Sequence, residues 1–359
     1  MSRKIAMPFL GATLPSRPSL ERRSSQSEAA REGLSGVVEN DRDTLHIAFG
    51  VDENYVHPMG VTITSIVENN PGLDLVFHVF IAEISQANRE RLEQLEIHFR
   101  RPIDIHPIED LAEIREQNVS KSHAYISKAA YTRLLIPEAL QGVTDRVLYL
   151  DADILCVGNV AGLLEMDVGD TAAAVIRDIN APAMCSRLAE KGLALGDYFN
   201  SGVLYINIPR WIATGVSERT LEKIADPVLN LGYFDQDALN IVLDGSVRFI
   251  DRTWNYQYGL TGRLKKVKDA MDVPSNTKFV HFIGPMKPWR TWNPHESKSL
   301  FLKYQKRSPW AGINLDDGFT PREFYVYSKF MYRLMFRQRR WLQGLVWYGK
   351  FLRRKYLAE

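Results

Sequence analysis

The sequence predicts an α/β protein, with a mostly parallel mixed sheet flanked by helices and a basic, aromatic helical tail at the C-terminus. Three observations carry this expectation. Apolar runs of strand length, such as residues 45–51 (LHIAFGV) and 75–81 (LVFHVFI), have the pattern of strands buried on both faces. Segments of helical length alternate with them, which favours parallel connections. Between residues 322 and 359, ten Lys and Arg stand against two acids, so this tail carries +8 of a net +2 and the rest of the chain −6.

Local patterns place each element in turn. After the first strand, residues 60–69 have helical length and close on the turn signal Asn70-Pro71-Gly72. The second strand, 75–81, is followed by Ser85, placed to cap a helix on which Leu92, Leu95 and Phe99 recur at helical spacing. Residues 103–105 form a short third strand, and 146–150 (RVLYL) a fourth that ends at Asp151. In the second half, residues 199–208, 247–250 and 278–283 read as strands, and 217–230 and 235–243 as helices. Residues 308–321, rich in Gly, Asp and Pro, read as a linker between a body at 44–307 and the tail.

A length of 359 residues at about 150 per domain corresponds to two domains, or to one large domain with attachments. A composition 45% hydrophobic and 25% charged excludes collagen-like and wholly disordered chains. Residues 1–43 have almost nothing to bury and are expected to be a disordered leader. Their apolar run at residues 7–12 is too short, and too interrupted by Pro8, for a secretory signal. Cys156 and Cys185 make neither a disulfide framework nor a four-thiolate zinc site. No uncharged apolar stretch reaches the roughly 18 residues of a membrane span. A cytoplasmic protein is therefore expected, and the acidic body argues against general nucleic-acid binding. The tail interleaves eleven aromatics with its ten basic residues. Phe330, Leu334, Trp341, Leu345 and Tyr348 recur at helical spacing, with Arg333, Arg337 and Arg340 along another face. That pattern suits docking on an anionic membrane surface, here the inner face of the cytoplasmic membrane. The competing expectation is a tail packed on its own body or on another subunit.

The chemistry-bearing residues gather where strands end. Ligands of open α/β sheets bind beyond the carboxyl ends of the strands. Asp52-Glu53-Asn54-Tyr55 follows the first strand, and Asp151-Ala152-Asp153 the fourth. Two carboxylates at i and i+2 can converge on a hard divalent cation, which can in turn neutralise a diphosphate leaving group. Taken alone, Asp-x-Asp after a strand also suits a phosphatase of the haloacid dehalogenase class, although Leu155 stands where those proteins usually carry Thr or Val. His281 heads His281-Phe282-Ile283-Gly284-Pro285-Met286-Lys287-Pro288-Trp289. In that segment an imidazole can join the two carboxylates on a metal, Gly284 admits close backbone approach, and Lys287 offers a point charge to phosphate. Asn200-Ser201-Gly202 can bond sugar hydroxyls. Asp235-Gln236-Asp237 either serves the same site or caps the following helix. Arg133, on an otherwise apolar helix, either packs its stem or binds an anion.

Together these segments resemble glycosyltransferase family 8, across residues 45 to 289. The resemblance rests on six signals in order: Asp52-x-Asn54-Tyr55, Tyr131-x-Arg133, Leu148-Tyr149-Leu150-Asp151-x-Asp153, Phe199-Asn200-Ser201-Gly202-Val203, Asp235-Gln236-Asp237, and the segment from His281 to Trp289. It implies the nucleotide-diphosphosugar transferase fold called GT-A. It implies that Asp151, Asp153 and His281 bind Mn²⁺, with Mg²⁺ as the alternative, and that the ion holds the diphosphate of a UDP-sugar. Gly50, Asp52, Asn54, Tyr55 and Ala152 then belong to the nucleotide site, and Gly284 and Lys287 to the diphosphate loop. Asn200, Ser201, Asp235, Gln236 and Arg133 surround the donor sugar, the last three as catalytic candidates. The implied reaction is retaining transfer of galactose or glucose to a saccharide or lipid-linked saccharide, such as lipopolysaccharide core. Asp235 is the first candidate for a covalent nucleophile and Gln236 a weaker one, whereas same-face attack, with the leaving phosphate taking the acceptor proton, needs neither. The acceptor loop expected at 121–128 matches relatives only loosely. A non-catalytic membrane-surface binding protein on the same fold is the reading from another class.

Overall fold

The computed structural model of the protein describes residues 43–108 and 128–356, with side chains from Thr132 onward in the second stretch. The leader, the 109–127 segment that contains most of the acceptor loop, and the side chain of Tyr131 lie outside the described residues. The α/β expectation holds. Seven strands form one sheet in the order β3-β2-β1-β4-β7-β6-β8. They are β1 (Thr44–Val51), β2 (Asp74–Ile81), β3 (Ile103–Pro107), β4 (Arg146–Leu150), β6 (Ala173–Arg177), β7 (Phe199–Asn207) and β8 (Val247–Phe249). β1, β2, β3 and β4 run parallel, and β7 is antiparallel to both β4 and β6. A second sheet joins β5 (Ile154–Cys156), β10 (Phe279–His281) and β9 (Tyr256–Gln257).

The helices are α1 (Glu53–Asn69), α2 (Gln86–Phe99), α3 (Lys128–Ala139), α4 (Ala181–Ala189), α5 (Ile208–Ala213), α6 (Val216–Ala225), α7 (Phe234–Val242), α8 (Leu260–Lys265), α9 (Ser297–Gln305), α10 (Pro321–Arg337) and α11 (Trp341–Tyr356). The large sheet is buried on both faces. One face packs Ile47, Phe49 and Phe77 against Ile63 and Ile66 of α1 and Leu92 of α2. The other packs Ala48, Phe80 and Tyr149 against Leu134 of α3, Trp211 of α5 and Leu239 of α7. Double burial is why the strand sequences are continuous apolar runs rather than alternating ones.

α1 starts at Glu53, seven residues earlier than expected. Asp52 caps it, its Oδ1 accepting from the Asn54 and Tyr55 N–H groups at 2.9 and 3.2 Å. Ser85 caps α2 as expected, accepting from the Asn88 N–H at 3.2 Å. Along its buried side α1 carries polar groups that serve the edge strand β5. Thr62 Oγ1 donates to the Ile154 carbonyl at 2.6 Å, and Ser65 Oγ accepts from the Cys156 N–H at 2.9 Å. This strap holds the chain leaving Asp153.

A third apolar cluster joins the small sheet to α9 and α10 through Phe282, Trp289, Phe301, Val326 and Phe330. In the stretch expected to be a linker, Trp310 is buried against Gly60 of α1, where a Cβ would meet the indole at 2.2 Å. The tail is two helices, not one. Thr320 and Glu323 form a reciprocal capping box at the start of α10, and Arg339, at φ 59°, turns the chain before α11. Phe330 is therefore core, whereas Trp341, Leu342, Leu345 and Val346 are exposed on α11. Among the described residues no helix is long and apolar enough to cross a membrane.

Candidate active site

Topology brings the sequence motifs to one end of the sheet. β7 runs against β4 with Val203 opposite Leu150, so Asn200, Ser201 and Gly202 flank the chain as it leaves β4. The Asp151 N–H donates to the Gly202 carbonyl at 2.9 Å. β10 runs antiparallel to β5 with His281 opposite Ile154, which sets the imidazole beside Asp153. His281 Nε2 lies 3.1 Å from Asp153 Oδ1 and 3.9 Å from Asp151 Oδ2. One ligand atom from each of the three residues falls within 4.8 Å of the other two.

A chain of amides fixes the tautomer of that imidazole. The Gly202 N–H can only donate, and it donates to Asn200 Oδ1 at 3.1 Å. Asn200 Nδ2 then points to Asp178 Oδ2, at 3.2 Å. The Asn255 amide also donates to Asn200 Oδ1, at 2.9 Å, so Asn255 Oδ1 faces His281 Nδ1 at 3.1 Å. That nitrogen must carry the proton, and the Nε2 lone pair is left facing the carboxylates. Asp153 Oδ1 is buried and accepts no hydrogen bond. Two lone pairs aimed at each other across a buried gap are costly unless a cation lies between them. Two carboxylate oxygens and a neutral imidazole nitrogen fit a divalent ion such as Mn²⁺. Gly202 clears the space: a Cβ there would meet His281 Cε1 at 2.4 Å and Asp151 Oδ2 at 2.8 Å.

Two cations flank the cluster. Lys287 Nζ donates to Asp153 Oδ2, and to the Phe282 carbonyl at 2.8 Å. Burial alone would raise the Asp153 carboxyl, but the Lys287 ammonium outweighs it and holds it well below the usual carboxylate range. Arg133, from α3, bridges Asp151 Oδ1 and Asp235 Oδ2, each at 3.1 Å, and donates to Ser201 Oγ at 2.5 Å. Its guanidinium lies over the Tyr149 ring, 4.8 Å from the centroid, and the Tyr149 hydroxyl donates to Asp151 Oδ1 at 2.7 Å. Burial works against its charge, yet Tyr149, Asp235 and Asp151 keep it protonated above its ordinary range.

Gly50, Asp52, Tyr55, Arg133, Asp151, Ala152 and Asp153 line one cleft of about 220 Å³. Gly50 is required there because a Cβ would meet Thr132 Cγ2 of α3 at 2.7 Å. Tyr55 stands edge-on to Trp289, with ring centroids 6.0 Å apart. Gln236 Oε1 accepts from the Ser201 N–H at 3.1 Å, which ties the start of α7 to β7. Arg133 and the Ser201–Gln236 pair thus connect Asn200, Asp235 and Gln236 to the cleft. Asn54 and Gly284 are exposed and are not among the cleft residues; Gly284 takes φ 83°, which only glycine adopts readily. Sequence reasoning missed Asn255, Asp178 and Tyr149. The one signal for Asn255 is a lone amide between Trp254 and Tyr256. Gly202 makes room for His281 and Asp151.

The model of glycosyl transferase family 8 matches residues 46–293, and that of the family's C-terminal region matches 296–355. The lipopolysaccharide 1,3-galactosyltransferase of Salmonella typhimurium is 34% identical over 89% of this chain and 93% of its own length. A lipopolysaccharide 1,2-glucosyltransferase of Escherichia coli is 30% identical over 89% and 94%. Among solved structures, the galactosyltransferase LgtC in complex with donor and acceptor sugar analogs superposes with a TM-score of 0.56 at 26% identity, over 74% of this chain and 96% of that one. By sequence over nearly all the described residues, and by fold, the chain belongs to glycosyltransferase family 8.

Proposed function

We propose that this glycosyltransferase moves galactose or glucose from a UDP-sugar to a saccharide of the lipopolysaccharide-core type, with retention at the anomeric carbon and with Mn²⁺ at Asp151, Asp153 and His281. The observation that carries the reading is the buried, unbonded Asp153 Oδ1 facing the His281 lone pair beside Lys287. The relatives' names, one a galactosyltransferase and one a glucosyltransferase, support a hexose donor and leave both epimers in play. The phosphatase reading leaves the lock on the His281 tautomer without purpose.

A divalent ion held here supplies Lewis-acid neutralisation of the charge that grows on the departing diphosphate. The chain's own residues do the rest. Lys287 places a second positive charge where the diphosphate leaves. Tyr55 and Trp289 give the base an aromatic wall, and the second oxygen of Asp52 remains for the ribose. Arg133 holds Asp235 against Asp151, which draws charge from the Asp235 carboxylate, while Gln236 Oε1 is occupied by the Ser201 N–H. Neither is therefore a free nucleophile. Their arrangement favours same-face attack, in which they line the sugar and the leaving phosphate accepts the acceptor proton.

The tail supports docking on an anionic membrane as a peripheral protein of the cytoplasmic face, where a lipid-linked acceptor would lie. α11 exposes Trp341, Leu342, Leu345 and Val346 beside a cluster of arginines. A donor panel with a truncated lipopolysaccharide acceptor tests the reading. Saturable transfer from UDP-galactose or UDP-glucose, with the anomeric configuration kept, is expected. Transfer only from CMP- or GDP-linked sugars, or inverted product, would overturn it.

A further inference from the structure

A second cluster of chemistry-bearing side chains lies apart from the active site, on the sheet face against which α3 packs. Parallel register sets Ala48 opposite His78, His78 opposite Asp104, and Phe80 opposite His106. With side chains alternating along each strand, His46, His78, Asp104 and His106 share that face, stepping diagonally from β1 to the edge strand β3. His46 and His78 are buried, His106 is half-buried, and the Asp104 side chain is 57% exposed. His78 Nδ1 lies 3.2 Å from His106 Nε2 and 3.6 Å from Asp104 Oδ2. The other ring nitrogen of His78, Nε2, lies 2.9 Å from His46 Nδ1.

We propose that His78 Nδ1, His106 Nε2 and the Asp104 carboxylate form a site for a transition-metal ion of the Zn²⁺ class, separate from the catalytic cluster. The spacing fits: bonds of about 2.0–2.1 Å in a tetrahedron put neighbouring ligand atoms about 3.3 Å apart, and the observed 3.2 and 3.6 Å bracket that edge. The tautomers fit as well. When His78 Nε2–H donates to His46 Nδ1, the Nδ1 lone pair of His78 is released toward His106 and Asp104, which is how an outer imidazole or carbonyl usually orients a metal-binding histidine. The rings are already fixed, since the His46 and His78 rings lie nearly parallel, at 9° with centroids 5.3 Å apart, and His106 stacks on Phe80 at 4.4 Å. Burial and the neighbouring imidazoles push His78 down to about 3, and burial lowers His106. The exposed Asp104 opens the fourth position to water. The donor sets differ in kind: two imidazoles and one carboxylate favour Zn²⁺, Co²⁺ or Ni²⁺, whereas the two carboxylates and one imidazole of the catalytic cluster favour a harder ion. Bound metal would pin β3 to β2, and binding to the folded chain alone would add to its stability.

The test uses the full chain, stripped by chelator and titrated with Zn²⁺ or Co²⁺ in four forms: wild type, Asp153→Asn, His106→Gln and Asp104→Asn. His106 and Asp104 reach solvent, so both variants are expected to fold, and circular dichroism checks that. Asp153→Asn should keep the visible absorption of tetrahedral Co²⁺ and the rise in Tm with Zn²⁺. His106→Gln and Asp104→Asn should each weaken Zn²⁺ binding by at least about tenfold. His106→Gln should keep wild-type UDP-sugar turnover with Mn²⁺, so failure of the proposed transfer reaction would show as inactivity of the wild type and would not touch this result. Equal Zn²⁺ affinity and stoichiometry in His106→Gln and wild type, or complete loss of Co²⁺ absorption in Asp153→Asn, would overturn the proposal.

Discussion

Gly202 sits where any side chain would push into His281 and Asp151. The β7 backbone is held there by the Asp151 N–H, so the new group cannot be relieved by a small shift of the strand. Gly202→Ala is accordingly expected to lower transfer by about 10²-fold or more by separating the three ligand atoms, with Tm falling far less than activity. Steady-state kinetics against Mn²⁺ concentration, beside a thermal melt, checks this; unchanged kcat and Mn²⁺ dependence would count against the cluster as the catalytic centre. Asn255 acts one step further out, through the His281 tautomer. Asn255→Ala should raise the Mn²⁺ concentration for half-maximal rate about 10- to 100-fold while leaving the saturated rate closer to wild type. The first carboxylates and His281 were legible because chemistry restricts which residue types can hold a metal after a strand. Asn255 was not, because nothing in a single amide between two aromatics says that it meets an imidazole 26 residues later.

At the scale of elements, the start of α7 depends on one buried carboxylate. Asp237 Oδ1 accepts from Arg187 Nη2 at 2.6 Å and from the Tyr198 hydroxyl at 2.5 Å, and Oδ2 accepts the Gly232 and Tyr233 N–H groups at 3.0 and 2.9 Å. The expected helix cap is not what forms, since the segment lies inside α7, whose N-cap Tyr233 has no side-chain cap; Asp237 instead anchors α4, β7 and α7 together and so holds Asp235 and Gln236 in place. Burial alone would raise this carboxyl; Arg187, Tyr198 and the Tyr233 N–H depress it below its ordinary value. A depressed carboxyl stabilises the fold above its unfolded pKa of about 3.9, and that contribution fades as pH falls through the lower folded value. Asp237→Asn should therefore cost about 3 kcal/mol at neutral pH, and the gap to wild type should hold from pH 7 to 5 and narrow below about pH 4. Denaturant melts across that range check it; a gap that widens on acidification would contradict it. Long apolar strands such as β1 and β2 were legible from composition. β5 and β6 were missed because three residues carry no period and Ala173-Ala174-Val175-Ile176-Arg177 is as much a helix pattern as a strand.

Over the whole molecule, the sequence showed a basic aromatic tail but not how it is divided. Spacing alone put Phe330 and Trp341 on one continuous face. Arg339 breaks that face, sending Phe330 into the third core cluster and leaving Trp341 63% and Leu342 81% exposed. Removing residues 322–359 would strip Val326 and Phe330 from the core, and with them Glu323, buried beside Arg290. A sharper probe leaves α10 intact. Leu342→Glu with Val346→Glu should abolish sedimentation with anionic liposomes and leave UDP-sugar hydrolysis within about twofold of wild type, surface changes of this kind being nearly neutral for stability. Equal sedimentation of both proteins would contradict docking through α11.

The most direct measurement is release of UDP from UDP-galactose and UDP-glucose by the full chain, with and without Mn²⁺, in wild type and Asp153→Asn. Metal-dependent release by the wild type, abolished by chelator and reduced at least about 10²-fold in Asp153→Asn with its circular dichroism unchanged, is the predicted result. Full release by Asp153→Asn, or release unaffected by excess chelator, would contradict the central claim that Asp151, Asp153 and His281 form the metal centre of the reaction.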